Sequence, residues 1–326
     1  MIEVYCNGKL YKNFSDYNLY KSLNFVARSF EFSFFVDNES FKNLQIKEDS
    51  KVKIKIKSTP FTIGKIDIIE DISDETGTLV KIKGRSISSL IIDCPCPISP
   101  GEFKNISLLN LCKTLCGPYN IPVYSEVIIN AKLEKWSIIP GETIWENLER
   151  ASRKLGLLIT GSDDGGLVIT KVKSTQERTQ LIEGQNVKRC RRVRNSSLKY
   201  SEYRVVGQDI DGLHDAEGIE YDSSVNYHRP LLIISENTEN NDSAKRRALW
   251  EKKIREQRST SIRIETNNIL TSDNGDPWET NKTTKVIYPT FGINEVMLIS
   301  STRYIRKNGG FPYTEIDLEE KDSYSI

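Results

Sequence analysis

The sequence has few of the residues from which most catalytic sites are built. Among 326 residues it contains two histidines, His214 and His228, and neither stands in a GxSxG, HExxH or nucleophile-containing pattern. His214 lies in a loop-like stretch, DGLHDAEG, and we interpret both histidines as solvated or structural. The Gly-rich stretch GSDDGG is not followed by the helix that a phosphate-binding loop requires. We therefore expect a binding or structural protein rather than an enzyme, with no catalytic residue and no cofactor.

Long apolar runs and an excess of one charge are also missing. No stretch approaches the roughly 20 apolar residues of a membrane span, and the N-terminus MIEVYCNGK lacks the apolar core of a signal peptide. The sequence therefore predicts no membrane span and folding in a cytoplasm. The formal net charge of +1 gives no general attraction to nucleic acid or membrane, so any such binding must be local.

Six cysteines are present, but their spacing fits no common site. Cys94-Pro-Cys96 and Cys112-x-x-x-Cys116 differ from the CxxC knuckles of zinc sites, and no histidine lies near them. A long chain without a secretion signal is not expected to contain a disulfide framework. We interpret Cys112 and Cys116 as small apolar residues on a helix, and we expect no metal site.

The clearest local pattern is a helix with both ends marked, within residues 136–172. Thr143 is placed to be its N-cap, and Glu146, three residues later, can complete a capping box. Leu148 lies on a face whose apolar residues repeat at helical spacing, and Gly156 occupies the left-handed position that ends a helix. Two strands, LLIT and LVITKV, follow on either side of the turn GSDDGG. This helix and the hairpin that follows it predict the centre of a small α/β domain.

The segments on either side have the period-two pattern of antiparallel strands with one wet face. Closing such strands into a small barrel would remove their exposed edges. We predict an α+β, mainly β fold with three domains: an N-terminal β-barrel-like domain (1–93), an α/β domain of helix plus β-hairpin (94–173), and a C-terminal β-barrel-like domain (174–326). One helix is inserted in the last domain, at 242–258.

The densest local charge is the basic run QNVKRCRRVRN. One interpretation is a solvated strand edge, where positive charge discourages pairing with other strands. The others are an ion-paired contact between subunits and a positive collar lining a channel that DNA traverses. The residues concerned are Lys188, Arg189, Arg191, Arg192 and Arg194.

Segments spread over nearly the whole chain resemble one family in their order and spacing. VKIKGRSISSLIIDC (80–94), which contains Arg85 and Asp93, is similar to the segment that closes the family's first domain, and PGETIWENLERASRKLGLLITGSDDGGLVIT (140–170) is similar to its most recognisable block. The further similar segments are SLLNLCKTLCGPYNIPV (107–123), SLKYSEYRVVGQD (197–209), YHRPLLIISEN (227–237), AKRRALWEKKIREQRS (244–259), Pro277-Trp278 and GGFPYTEIDLEEKD (309–322). The family is that of the baseplate hub proteins of Mu-like contractile-tail phages. It commonly has an acidic residue after the Gly-Arg pair, where this chain has Ser86.

The resemblance implies a structural hub of a contractile phage tail or of a tail-like particle, related to the spike-base hubs of secretion systems. Such hubs are homotrimers in which two barrels per chain build a ring of near six-fold symmetry. The ring joins the tail tube, or a tube-initiator protein, to the central spike, and baseplate wedge proteins are further partners. The resemblance also implies a place in the virion tail baseplate after assembly in the host cytoplasm, a role in host-cell entry, and passage of DNA through the ring.

A second interpretation is a peptidoglycan-binding or other carbohydrate-binding module. PGETIWENLERASRKLGL resembles the opening of a LysM repeat, which also begins with Gly-Asp/Glu-Thr and enters a helix. In LysM units helix follows helix, whereas here a β-hairpin is predicted directly after Gly156. Binding to peptidoglycan would distinguish the two functions.

We expect the purified protein to carry no stoichiometric zinc and to need no disulfide for folding. The reasons are the off-pattern cysteine spacing and the scarcity of histidine. Elemental analysis after dialysis, and thermal denaturation with and without reductant, check this expectation. A zinc content of about one ion per chain, or a midpoint that falls under reduction, would contradict it.

Overall fold

The computed structural model describes residues 2–97, 99, 101–208, 214–235, 241–267, 269–271 and 275–320, without the side chains of residues 208, 214, 215 and 235. The described residues form two compact units. Unit 1 comprises those within Met1–Arg189 and Ile264–Ile316, and unit 2 those within Cys190–Arg263 and Asp317–Ile326.

The described residues form twenty-one strands and five α-helices. The strands are β1 (Ile2–Cys6), β2 (Lys9–Tyr11), β3 (Asp16–Ser22), β4 (Ser29–Val36), β5 (Lys51–Ile56), β6 (Thr59–Asp74), β7 (Gly77–Ser86), β8 (Glu102–Ser107), β9 (Val123–Ser125), β10 (Lys132–Ser137), β11 (Leu158–Gly161), β12 (Leu167–Thr170), β13 (Leu181–Ile182), β14 (Val187–Arg194), β15 (Glu202–Gln208), β16 (His214–Tyr221), β17 (Pro230–Ser235), β18 (Thr260–Thr266), β19 (Thr283–Tyr288), β20 (Ile293–Arg306) and β21 (Tyr313–Glu320). The helices are α1 (Asn38–Lys42), α2 (Leu90–Asp93), α3 (Leu108–Cys116), α4 (Ile144–Lys154) and α5 (Asn241–Arg258).

Thirteen of these strands belong to one sheet. Its path runs β14-β18-β21-β20-β3-β4-β7-β6-β5-β1-β2, while β19 pairs with β20 and β13 pairs with β19. In unit 1 the early and late parts of the chain meet where β3 pairs antiparallel with β20, with Ser22 opposite Ser301 and Tyr17 opposite Arg306. Three smaller sheets are β10-β8, β11-β12-β9 and β16-β15-β17.

The mainly β class predicted from the sequence is confirmed, but the predicted barrels are not found. The sheet path has two ends, β14 and β2, so the described strands form no closed barrel. The two β-rich segments also do not form separate sheets, because β3 and β20 share one. Alternation identifies a strand and its wet face, whereas the choice of partner strand depends on tertiary packing. The division into domains 1–93, 94–173 and 174–326 stays a prediction.

A first apolar cluster of unit 1 is built mainly from the strands of the first segment. Phe30, Phe32 and Phe34 alternate along β4 and are all buried in this cluster. Tyr304 reaches it from β20 and lies edge-on to Phe61, with the ring centres 6.2 Å apart. The pairing of β3 with β20 is therefore backed by shared packing.

A second apolar cluster of unit 1 is formed by α3, α4 and the β11–β12 hairpin. Cys112 and Cys116 of α3 are fully buried there, as expected for small apolar residues on a helix. Burial raises the pKa of the Cys116 thiol to about 12, so it stays protonated at neutral pH. None of the six cysteines forms a disulfide.

Helix α4 has both of the ends that its sequence predicts. The Thr143 hydroxyl accepts from the backbone N–H of Glu146 at 3.2 Å, and the Glu146 carboxylate accepts from the Thr143 N–H at 2.8 Å. Leu148 is fully buried in the second cluster. After the helix, Gly156 has a φ of +63°, a conformation that glycine adopts without strain. The chain then enters β11, whose hairpin with β12 is antiparallel.

In unit 2 a long helix packs on a three-stranded sheet. The helix predicted at 242–258 is α5, and it lies against β15 and β16. Its small residues Ala244 and Ala248 are fully buried in a cluster with Tyr203. At Gly218 of β16, a Cβ atom would lie 2.2 Å from a backbone nitrogen of the helix, so the close approach of helix and strand requires glycine.

The stretch around His214 differs from its loop-like interpretation. Strand β16 begins at His214 and pairs with β15 across one irregularity at Gly207/Gln208. Hydrogen bonding to β15 therefore makes this stretch a strand, although its residues are ones that favour turns. Residues 211–213 and the His214 side chain lie outside the described residues, as do Asp209, 236–237 and 321–322 of the family-like segments. His228 is exposed.

Replacing Leu148 by Ala should lower the free energy of unfolding by about 2–5 kcal/mol, because it removes a fully buried side chain from the second cluster. Thr143→Ala should cost roughly 0.5–2 kcal/mol through the lost cap, whereas Thr143→Ser keeps the hydroxyl and serves as its control. Urea denaturation followed by circular dichroism measures all three. An unchanged midpoint and slope for Leu148→Ala would show that this helix face is assigned wrongly.

Candidate functional site

The described residues offer charged surfaces and junctions rather than a metal centre. No group of three or more His, Cys, Asp and Glu side chains among them could hold a metal ion. No helix in the same part of the chain is long and apolar enough to cross a membrane. The charged groups of the chain are concentrated on a basic strand, around Arg85, around the buried Arg28 and on one face of α4.

The structure brings the five predicted basic residues together on one edge strand. They lie on β14, which ends the path of the thirteen-stranded sheet and has β18 as its neighbour on that path. All are exposed except Arg192, which is half-buried. The five are Lys188, Arg189, Arg191, Arg192 and Arg194.

The positive charge of β14 is only partly compensated within the chain. Arg189 lies 3.7 Å from Glu265, and its side chain remains 70% exposed. The Lys188 ammonium stands 5.2 Å from the ring centre of Tyr313. Arg191 and Arg194 form no ion pair with another described residue. An edge strand presents unpaired backbone groups to other chains, so β14 offers both hydrogen-bonding groups and net positive charge.

Arg85 and Asp93, the pair contained in the family-like Gly-Arg segment, are joined directly. The Arg85 guanidinium donates to both carboxylate oxygens of Asp93, at 3.0 and 2.8 Å, and its Nε donates to Asp67 at 2.8 Å. Hydrogen bonds to Asp93 and then to Asp67 raise the pKa of Arg85. Ser86, which stands where the family commonly has an acid, is buried, and its hydroxyl accepts from the backbone N–H of Arg28 at 3.0 Å. Arg85 therefore pairs with Asp93 and Asp67 and not with the residue that follows it in the chain.

The sequence does not single out the buried residue Arg28, because no local pattern indicates that an isolated arginine will connect two segments of the chain. Its side chain is 9% exposed and donates to Asp163 at 2.6 Å and to the Gly161 carbonyl at 2.6 Å. It also donates to the carbonyl of Phe61 and lies 5.7 Å from the centre of that ring. Arg28 therefore ties the first β-rich segment to the loop between β11 and β12.

The same loop, GSDDGG, contacts other segments backbone to backbone. The turn interpretation of its glycines was incomplete, since three glycines in six residues also signal close backbone approach. A Cβ atom at any of them would lie 2.3 Å from a carbonyl oxygen: Gly161 from Val26, Gly165 from Ile63 and Gly166 from Pro122.

The charged side chains on the face beside α4 form hydrogen bonds and ion pairs with one another. Glu142 accepts from Arg150 at 2.8 and 2.9 Å and from Asn147 at 3.0 Å, and the Arg150 guanidinium stacks 4.1 Å from the ring centre of Trp136. Burial by itself would raise the pKa of Glu142, but these hydrogen bonds outweigh it and lower the pKa. This network fixes the turn before α4. Because α4 leads into a hairpin and not a second helix, the LysM interpretation gains no support.

Three protein-family models match successive parts of the chain. Residues 1–86 match the model described as Mu phage baseplate assembly protein GpP-like, N-terminal. Residues 88–171 match Baseplate hub protein gp44-like, second domain, and residues 240–323 match Mu phage baseplate assembly protein GpP, fourth domain. The three models describe domains of one kind of protein and together match most of the chain.

Relatives of full length agree with these models. The baseplate hub protein gp44 of Escherichia phage Mu is 25% identical over 341 residues, which covers 100% of this chain and 89% of the relative. The 43 kDa tail protein of prophage MuSo2 from Shewanella oneidensis has a TM-score of 0.88 at 23% identity, covering 100% of this chain and 99% of that one. The tail protein from Neisseria meningitidis MC58 has a TM-score of 0.84 at 20% identity, with 99% and 97% covered. The two structural likenesses establish the fold.

Replacing Arg28 by Met should destabilise the protein by roughly 1–3 kcal/mol for each of the two buried carbonyls that lose their donor. Asp163→Asn should cost less than about 1 kcal/mol, because the Asp163 side chain is 56% exposed and water can replace its partner. Equilibrium urea denaturation of both variants checks the difference. Equal losses in the free energy of unfolding would show that the carbonyl contacts of Arg28 add no stability beyond its pairing with Asp163.

Proposed function

Because this chain belongs to the family of Mu-like phage baseplate hub proteins, we propose that three copies of it form the central ring of a contractile-tail baseplate. The ring joins the tail tube above to the central spike below, in a phage or in a tail-like particle. The observation that carries the proposal is the similarity to a named baseplate hub along 100% of the chain.

The fold suits such a ring because each chain contributes two β-rich segments to it, the first and the last. Strands from the first segment and from the last segment share a sheet in unit 1 through the β3–β20 pairing. Three copies then present six β-rich segments, which lets a three-fold hub meet a tube built from six-fold rings. An interface between identical copies also covers strand edges that would otherwise be open to unwanted pairing.

The partners in this proposal are other copies of the chain, the tail tube or a tube-initiator protein, the central spike and the baseplate wedge proteins. DNA passes through the ring when the tail delivers it into the host cell. The chain is made in the host cytoplasm and ends in the virion tail baseplate. Its role is structural, and the absence of catalysis and of a cofactor stays a prediction.

Static light scattering of the purified protein should give a mass of three times 37.3 kDa, independent of concentration above the dissociation constant. Negative-stain electron microscopy of the same sample should show rings. A mass of one chain at every concentration, with no rings in the images, would refute the trimer. The similarity of the fold to the MuSo2 tail protein would remain, but the proposed trimer would be wrong.

A further inference from the structure

The second half of β6 is a sheet edge that no other described strand covers, although Asn38 donates to its last carbonyl, that of Asp74. Strand β5 pairs with β6 only as far as the Lys51–Lys65 pair. From Asp67 to Asp74, β6 has β7 on one side, and no described strand lies on the other. Every residue of this stretch is exposed except Ile69, which is half-buried. We call residues 67–74 the acidic edge, because its sequence is DIIEDISD.

The acidic edge keeps a net negative charge after its contacts within the chain are counted. Asp67 pairs with Arg85 at 2.8 Å and Glu70 with Lys81 at 3.1 Å, and these pairs are open to solvent. Asp71 forms no ion pair with another described residue. Hydrogen bonds from the hydroxyl and then the N–H of Thr76 lower the pKa of Asp74, so this carboxylate is ionised at neutral pH.

The acidic edge and β14 are complementary in length, charge and surface. The acidic edge and β14 each span eight residues. One carries four acidic side chains and the other five basic ones. Each also exposes apolar side chains between its charges, Ile68 and Ile72 on the acidic edge and Val193 on β14.

Like charges on each edge select which edges can meet. Two copies of β14, or two acidic edges, would place like charges opposite one another, which opposes pairing. One edge of each kind brings opposite charges together while their free backbone groups form hydrogen bonds. The contact is then head-to-tail rather than two-fold symmetric, and head-to-tail contacts generate rings when the rotation closes.

We propose that β14 of one copy pairs with the acidic edge of the next copy, and that this contact joins the subunits of the ring. The inference rests on the proposed hub function, which supplies a second copy of this chain as the partner and closure after three copies. Backbone hydrogen bonds provide affinity, and the charges provide specificity and a dependence on salt.

The test uses charge reversals at residues that lack an ion pair with described residues. Arg191→Glu and Asp71→Lys each place like charges at the contact, and each should raise the dissociation constant of the trimer by about tenfold at low salt. Lys53→Glu is the matched control, because Lys53 is exposed on β5, a strand paired on both sides by β1 and β6. Sedimentation at several salt concentrations measures assembly, and thermal denaturation verifies that each variant folds.

The combination of Arg191→Glu with Asp71→Lys tests whether the two edges meet. If they do, the double variant dissociates less than the two single effects predict together, because opposite charges again face one another. Strictly additive effects, or single variants that behave like Lys53→Glu, would overturn the edge contact while the trimer and the hub function stand. A wild-type protein that stays monomeric would overturn both proposals. Loss of DNA binding by Arg191→Glu without any change in assembly would identify β14 as a nucleic-acid surface and overturn the edge contact.

Discussion

Direct contact between backbones, with no side chain in between, is the constraint on which the arrangement of unit 1 depends. The GSDDGG loop places Gly161 and Gly165 against the carbonyls of Val26 and Ile63, and Arg28 satisfies the neighbouring carbonyls of Phe61 and Gly161. Cores are close-packed, so a loop held this tightly transmits its position to the elements that it joins. The β11–β12 hairpin, and through it α4, is therefore held against the strands of the first β-rich segment. A buried guanidinium is costly unless it is paired and hydrogen-bonded, and here it donates to the carbonyls of Phe61 and Gly161 and to the Asp163 carboxylate.

The proposed contact between subunits uses sheet edges, where exposed charges and backbone groups lie together. A strand edge is the one place in a sheet where backbone donors and acceptors face solvent, and proteins must cover it, shorten it or charge it. The sheet path ends in the three-residue strand β2 on one side and in the basic β14 on the other. Exposed ion pairs contribute little stability individually. Their main effects are on which surfaces can approach one another and how fast they associate, and these are the effects a structural assembly protein needs.

The sequence predicts local features of this fold well and distant ones poorly. The caps of α4 depend on residues within one turn of each other, so Thr143, Glu146 and Gly156 could be assigned from spacing alone. The burial of Leu148 followed from helical periodicity in the same way. The partner of β3 could not be found, because the strand pattern of residues 293–306 does not indicate which strand they pair with. Arg28 and Asp163 are also far apart in the chain, and no local pattern marks an arginine that will be buried. The edge formed by residues 67–74 is visible only after the strand register shows where β5 stops.

The pairing of β3 with β20 also has a consequence for biosynthesis. Ser22 hydrogen-bonds into a sheet with a strand that contains Ser301, so almost the whole chain must be translated before β3 has its second neighbour. At about 5–20 residues per second, this interval lasts roughly 15 to 60 seconds. During that time β3 has β4 as its neighbour on one side only, and the strands already synthesised form an incomplete sheet. Non-local pairing of this kind slows folding, since a long loop must close before the contact is gained. The folding of β3 is therefore tied to the end of synthesis, when its last partner strand emerges.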